Sequence, residues 1–133
     1  MLTSFLDINW LAVLAGVIVF FLLGGLWFQF VVGKAYEAAL GVAQKEGLLS
    51  LAGPLGCLCV ITIANAWLMA ALGLEGLQAT AGFGLIVGLG YLLPMTLNIA
   101  INPLFPRPFY YTALNAPFFI GGSVLSCVVI RLI

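Results

Sequence analysis

Apolar residues in this chain run continuously rather than at helical or strand intervals. Four runs, about Ile8–Val32, Leu51–Leu72, Leu77–Ala100 and Phe109–Ile130, contain no charged residue. At 1.5 Å per residue, each is long enough to cross a hydrocarbon core of about 30 Å. A spanning backbone must satisfy its own hydrogen bonds, and a membrane strand would alternate apolar with polar residues, so continuous runs read as helices. The first run exceeds one bilayer and must tilt or protrude. The pattern predicts an all-α polytopic membrane protein: one domain over residues 1–133, built as a four-transmembrane-helix bundle.

The connections carry the turn chemistry. After the first run, Gly33-Lys34-Ala35-Tyr36-Glu37-Ala38-Ala39-Leu40-Gly41 predicts a short interfacial helix ended by Gly41. Lys34 and Glu37 lie three apart on one turn, and Tyr36 sits at headgroup depth. Gly73-Leu74-Glu75-Gly76 is a tight turn that makes the second and third helices an antiparallel hairpin. Residues 102–108 hold Pro103, Pro106 and Pro108, which predicts a rigid corner ending at the interfacial Arg107.

Neutral polar residues fall into stripes. Thr112, Asn115, Phe119, Gly122 and Ser126 follow spacings of three and four on the last helix. Gly84, Gly88, Tyr91, Met95, Asn98 and Asn102 do so on the third, with Thr96 to one side. The second offers Cys59, Thr62, Asn65 and Met69, and the first Ala12, Gly16 and Gly24. One reading is helix packing: small residues bring backbones together, as at Gly16, Gly24, Gly84, Gly88 and Gly122, and amides and hydroxyls bond between helices. The other is convergence of Asn65, Asn98 and Asn115, with Thr62, Thr112 and Ser126, on a polar pocket or pathway. Pro94 removes an amide donor inside the third helix and crowds the carbonyl of Gly90, which marks a kink or hinge.

Charge narrows the function classes. Eight of 133 residues are charged, four of each sign, and there is no histidine. With no basic cluster, the chain has no footprint for nucleic acid. The commonest metal ligand and acid–base residue is absent, so no cofactor, metal site or hydrolytic triad is expected. Cys57, Cys59 and Cys127 lie within apolar runs and read as small buried residues. Proton coupling would need a membrane-embedded carboxylate, which only Asp7 approaches; Asp7 reads more simply as a helix-start residue. The long aromatic first run, preceded by an acidic leader, reads as a retained helix rather than a secretory signal. Lys34, Lys45 and Arg107 on one side, against Arg131 on the other, place both termini outside, by a margin that leaves dual insertion open.

The order of several short motifs resembles a known family. Asn9-Trp10-Leu11-Ala12-Val13-Leu14, Gly24-Gly25-Leu26-Trp27-Phe28 and Gly33-Lys34-Ala35-Tyr36 open the chain; Asn102, Phe105, Arg107-Pro108 and Asn115-Ala116 follow. Together they resemble the small bacterial membrane family catalogued as domain of unknown function 1761. Pro106 stands where members often carry an acidic residue, and Tyr36 where they carry a tryptophan. The resemblance implies four helices in a cell membrane, the bacterial inner membrane, and carries no activity.

Two functions fit. One is binding or transport of a small neutral or lipophilic molecule by a homo-oligomer, since one bundle of this size fills its own core. The alternative is a structural or regulatory subunit that touches another membrane protein through its helices. A membrane enzyme using a tyrosine or Arg107 is a third reading, and the sequence leans against it.

Overall fold

A computed structural model describes residues 5–43, 47–102 and 105–133. Four helices are long and apolar enough to cross a membrane: Trp10–Val31, Leu48–Ala71, Leu77–Ala100 and Pro108–Leu132. A short helix, Gly33–Leu40, follows the first span. Among the described residues there is no strand. Lys45 and Pro103, which enter the charge margin and the three-proline corner, lie outside the described residues.

The last span is the hub, packing on the first, the third and, over a smaller face, the second. Outward residues such as Leu11, Leu14, Ile18 and Leu22 are exposed at helical spacing. Uncovered leucine at that density is stable only where lipid replaces water.

The sequence assigned the first helix start to Asp7; the structure gives the cap to Asn9. Its side-chain oxygen accepts from the Leu11 and Ala12 amides at 3.1 and 3.2 Å, satisfying two donors that would otherwise have no partner. At the far end of the short helix, Gly41 takes a left-handed φ of 82°. A Cβ there would also lie 2.9 Å from the Pro106 ring, so the first and third connections touch.

Two π turns interrupt the spans, Trp27–Val31 in the first and Gly88–Leu92 in the third. The second of these corrects the predicted stripe. A π turn closes its hydrogen bond one residue later than an α turn, so every position beyond it rotates by about one residue. Gly84 and Gly88 face inward as expected, but the buried face continues through Thr96 and Ala100. Tyr91 and Met95 are 68% and 58% exposed, and Asn98 faces outward with them. Pro94 lies just past this turn, in which the Leu93 amide reaches back to the Gly88 carbonyl. The widened turn is where the helix absorbs the donor that Pro94 lacks.

Glycine sets how closely the spans approach. A Cβ on Gly84 would lie 2.7 Å from Val124 Cα, and one on Gly88 2.7 Å from Ile120 Cα. On the first and last spans, Gly24 lies under the Phe118 ring and Gly122 under the Phe20 ring, while Gly16 admits Thr62 and Ile130. These contacts fix the registers: the first and third spans run antiparallel to the last. The second runs parallel to it, with Leu58 beside Phe118 and Asn65 beside Cys127.

Candidate functional site: an aromatic cleft

Between the first, second and last spans, under the short helix, lies a half-open cleft of about 760 Å³. That is within the range of small-molecule sites, about 300–1,000 Å³. Its position follows from local structure. The π turn at Trp27–Val31 holds Phe28 inward while Gln29 lines the cleft from the same turn. Trp27 anchors the turn by donating its indole N–H to the Leu114 carbonyl at 2.8 Å. That carbonyl is one residue beyond Ala113, whose intrahelical donor Pro117 removes, so the indole braces the last span where its ladder is weakest.

Six of the lining residues are aromatic: Phe21, Phe28, Tyr36, Tyr111, Phe118 and Phe119. Phe28 meets Tyr36 at 4.9 Å and Phe118 at 5.1 Å between ring centroids, both edge to face. Tyr36 continues to Tyr111 at 5.3 Å, and Phe105 stacks on Tyr111 at 4.9 Å. The base of the cleft is closed by Phe20, Leu58 and Phe118, all buried.

A few polar groups sit in this apolar wall. The Tyr36 and Tyr111 hydroxyls are 3.2 Å apart; one donates to the other, which leaves one O–H for a visitor. Burial, and then the Tyr111 hydroxyl beside it, push the Tyr36 phenol well above its ordinary range, so it stays a neutral donor. Asn115 is 3% exposed and donates Nδ2 to the Tyr111 carbonyl at 2.8 Å. Among the described residues nothing donates to its Oδ1. On the opposite wall, Pro54 cannot donate to the Ser50 carbonyl one turn back, and both residues line the cleft. No charged side chain is among the described lining residues.

The sequence-derived candidates separate into three places. Asn115, Tyr36 and Gly24 line the cleft. Thr62, Asn65 and Ser126 lie deeper, fully or almost fully buried between the second and last spans. Asn98 faces outward and joins neither group. Thr112 is buried, but its hydroxyl donates to the Pro108 carbonyl at 2.9 Å. Lys34 and Arg107 are exposed. Phe28, Tyr111, Phe118, Ser50 and Pro54 were not singled out as site residues. The signal available for them was aromatic density at Trp27-Phe28 and Tyr110-Tyr111, and a proline one turn after a serine.

Comparison with known proteins adds a family and no activity. The family described as protein of unknown function (DUF1761) matches residues 11–131. The chain belongs to that family. The match runs from the first span nearly to the end of the last, so it covers every wall of the cleft. No curated protein and no solved structure matches the chain.

Proposed function

We propose that this member of the DUF1761 family binds a neutral lipophilic molecule in the aromatic cleft, with a hydrogen-bonding head at the Tyr36–Tyr111–Asn115 end. The observation that carries this reading is Asn115. It is an almost fully buried residue on the cleft wall whose Nδ2 is taken by the Tyr111 carbonyl, which leaves Oδ1 to accept from a guest. A hydrogen bond accepted there contributes about 1 kcal/mol net. The free tyrosyl O–H and the Ser50 carbonyl offer further partners of both kinds. The lack of charge among the described lining residues selects a neutral head, because an ion beside them would be desolvated without a partner. The closed base at Phe20, Leu58 and Phe118 favours binding over conduction through a single copy.

A long-chain alcohol carrying a diazirine tests this in lipid nanodiscs. Photolabelling should map to Phe28, Tyr36, Tyr111 and Phe119. Gly25 lines the cleft, and a Cβ there would meet nothing within 4 Å. Gly25→Trp should therefore fill the space and cut labelling at least tenfold while the protein stays folded. Labelling spread over all lipid-facing side chains, and indifferent to Gly25→Trp, would refute the proposal.

A further inference from the structure

One turn below the base of the cleft, the second and last spans enclose a second polar region that the aromatic cleft does not use. Thr62, Ser123, Ser126 and Cys127 are 0% exposed, and Asn65 is 3% exposed. The Asn65 and Ser126 side chains flank the Cys127 thiol, and Ser126 donates to the Ser123 carbonyl at 3.1 Å. Three atoms are left over: Thr62 Oγ1, Asn65 Nδ2 and Ser123 Oγ have no hydrogen-bond partner among the described residues.

Helix geometry does not force this. Thr80, Thr96 and Thr112 are also buried, and each donates to the carbonyl four residues back at 2.8–2.9 Å. Thr62 has the same option toward Leu58 and does not take it. Ser123 likewise lacks the backward bond that Ser126 makes. The two spans run parallel, with Leu58 beside Phe118 and Asn65 beside Cys127, so Thr62 and Ser123 fall between those contacts at one level. The three orphan atoms thus lie within about one helical turn of each other along the bundle axis.

We infer that Thr62, Asn65 and Ser123 hold a buried water molecule between the second and last spans. The chemistry of the orphans selects water over an ion. Asn65 Nδ2 can only donate, which repels a cation, and two hydroxyls that both donate and accept match water's two donors and two acceptors. Buried waters make about three hydrogen bonds to otherwise unsatisfied groups, and here there are three such groups. Ser126 and Cys127, which flank the node, are small, and a water's share of liquid volume is only about 30 Å³. The layer of Phe20, Leu58 and Phe118 separates this water from the cleft, so it is a distinct site whose fate does not depend on the cleft ligand.

Infrared difference spectra of the whole protein in lipid films, hydrated with normal or ¹⁸O water, test this directly. A bound water gives an O–H band that shifts with the isotope. That band is expected in the wild type and in Gly25→Trp, and should be lost or moved in Thr62→Val, whose Tm should fall. Ser123→Ala serves the same purpose if Thr62→Val does not fold. No isotope-sensitive band in the wild type overturns the inference. So does a band unchanged in both variants, or a Tm of Thr62→Val at or above that of the wild type, which marks a dry node. A Tm that rises with sodium but not with choline also overturns it, in favour of a cation.

Discussion

The cleft and the buried node share the second and last spans and the same kind of polar residue, yet they solve burial in different ways. At the cleft, Asn115 bonds Nδ2 within its own helix and leaves Oδ1 open toward space. In the node, one turn deeper, three polar atoms are shut in and unpaired. Polar residues inside a membrane span therefore do not share one meaning. A threonine that donates to its own helix is inert, whereas one that forgoes that bond in a closed space marks a missing partner.

Gly122 stands between the two regions, and altering it breaks the comparison most completely. The Phe20 ring occupies the space a side chain would need there. Gly122→Leu should push Phe20 out of the layer it shares with Leu58 and Phe118, joining node to cleft. The expected cost is about 3 kcal/mol, at the upper end of core overpacking. It should be seen as loss of folded protein on extraction, and folded protein at wild-type yield would show that the layer is soft.

Asn115→Leu separates ligand recognition from architecture. It removes the open acceptor and one bond to the Tyr111 carbonyl while keeping similar volume. Capture of the diazirine alcohol should weaken about fivefold, the worth of one hydrogen bond near 1 kcal/mol. Unchanged capture would assign head recognition to the tyrosine pair or the Ser50 carbonyl instead.

The paired substitutions Thr62→Val and Thr112→Val sharpen the contrast between node and helix. Each removes one hydroxyl and keeps the shape. Thr112 loses only a back-bond to its own helix, so its Tm should move by less than about 0.5 kcal/mol equivalent. Thr62→Val should cost about 1 kcal/mol if a water is bound there, because the water loses one of three partners. Equal effects at the two positions would erase the distinction.

Much of the fold was legible because lipid as solvent leaves a coarse mark. Runs without charge gave all four spans, and Gly41 marked the end of the short helix. The faces were less legible, for a specific reason. Assigning Asn98 to an inward stripe assumed 3.6 residues per turn throughout, and the π turn at Gly88–Leu92 broke that period. Pro94 was the visible warning, since a missing donor is a place where a helix can widen. The grouping of Thr62, Asn65 and Ser126 on inward faces was readable where no π turn intervened. Their separation from Asn115 was not, because it depends on where Phe20 and Phe118 insert. Nor could spacing show that Tyr36, from the short helix, reaches Tyr111 on the last span.

The smallest effect concerns that tyrosine pair and pH. The Tyr36 phenol is held above its ordinary value of 10.0, first by burial and then by Tyr111. The folded state therefore favours the neutral phenol more than the unfolded state does. The stability this contributes is fully present below pH 10.0 and is lost as pH rises toward the folded value, because unfolded chains release the proton first. Tyr36→Phe has no proton to release and should flatten that limb. With allowance for solvent screening, the wild type should lose about 0.5 kcal/mol more than the variant between pH 9 and pH 11. Thermal unfolding in detergent across that range measures the difference, in which the other tyrosines cancel. A wild type and variant that fall in parallel would mean that Tyr36 is as wet as an ordinary surface phenol, and the tyrosine end of the cleft would then be open to water.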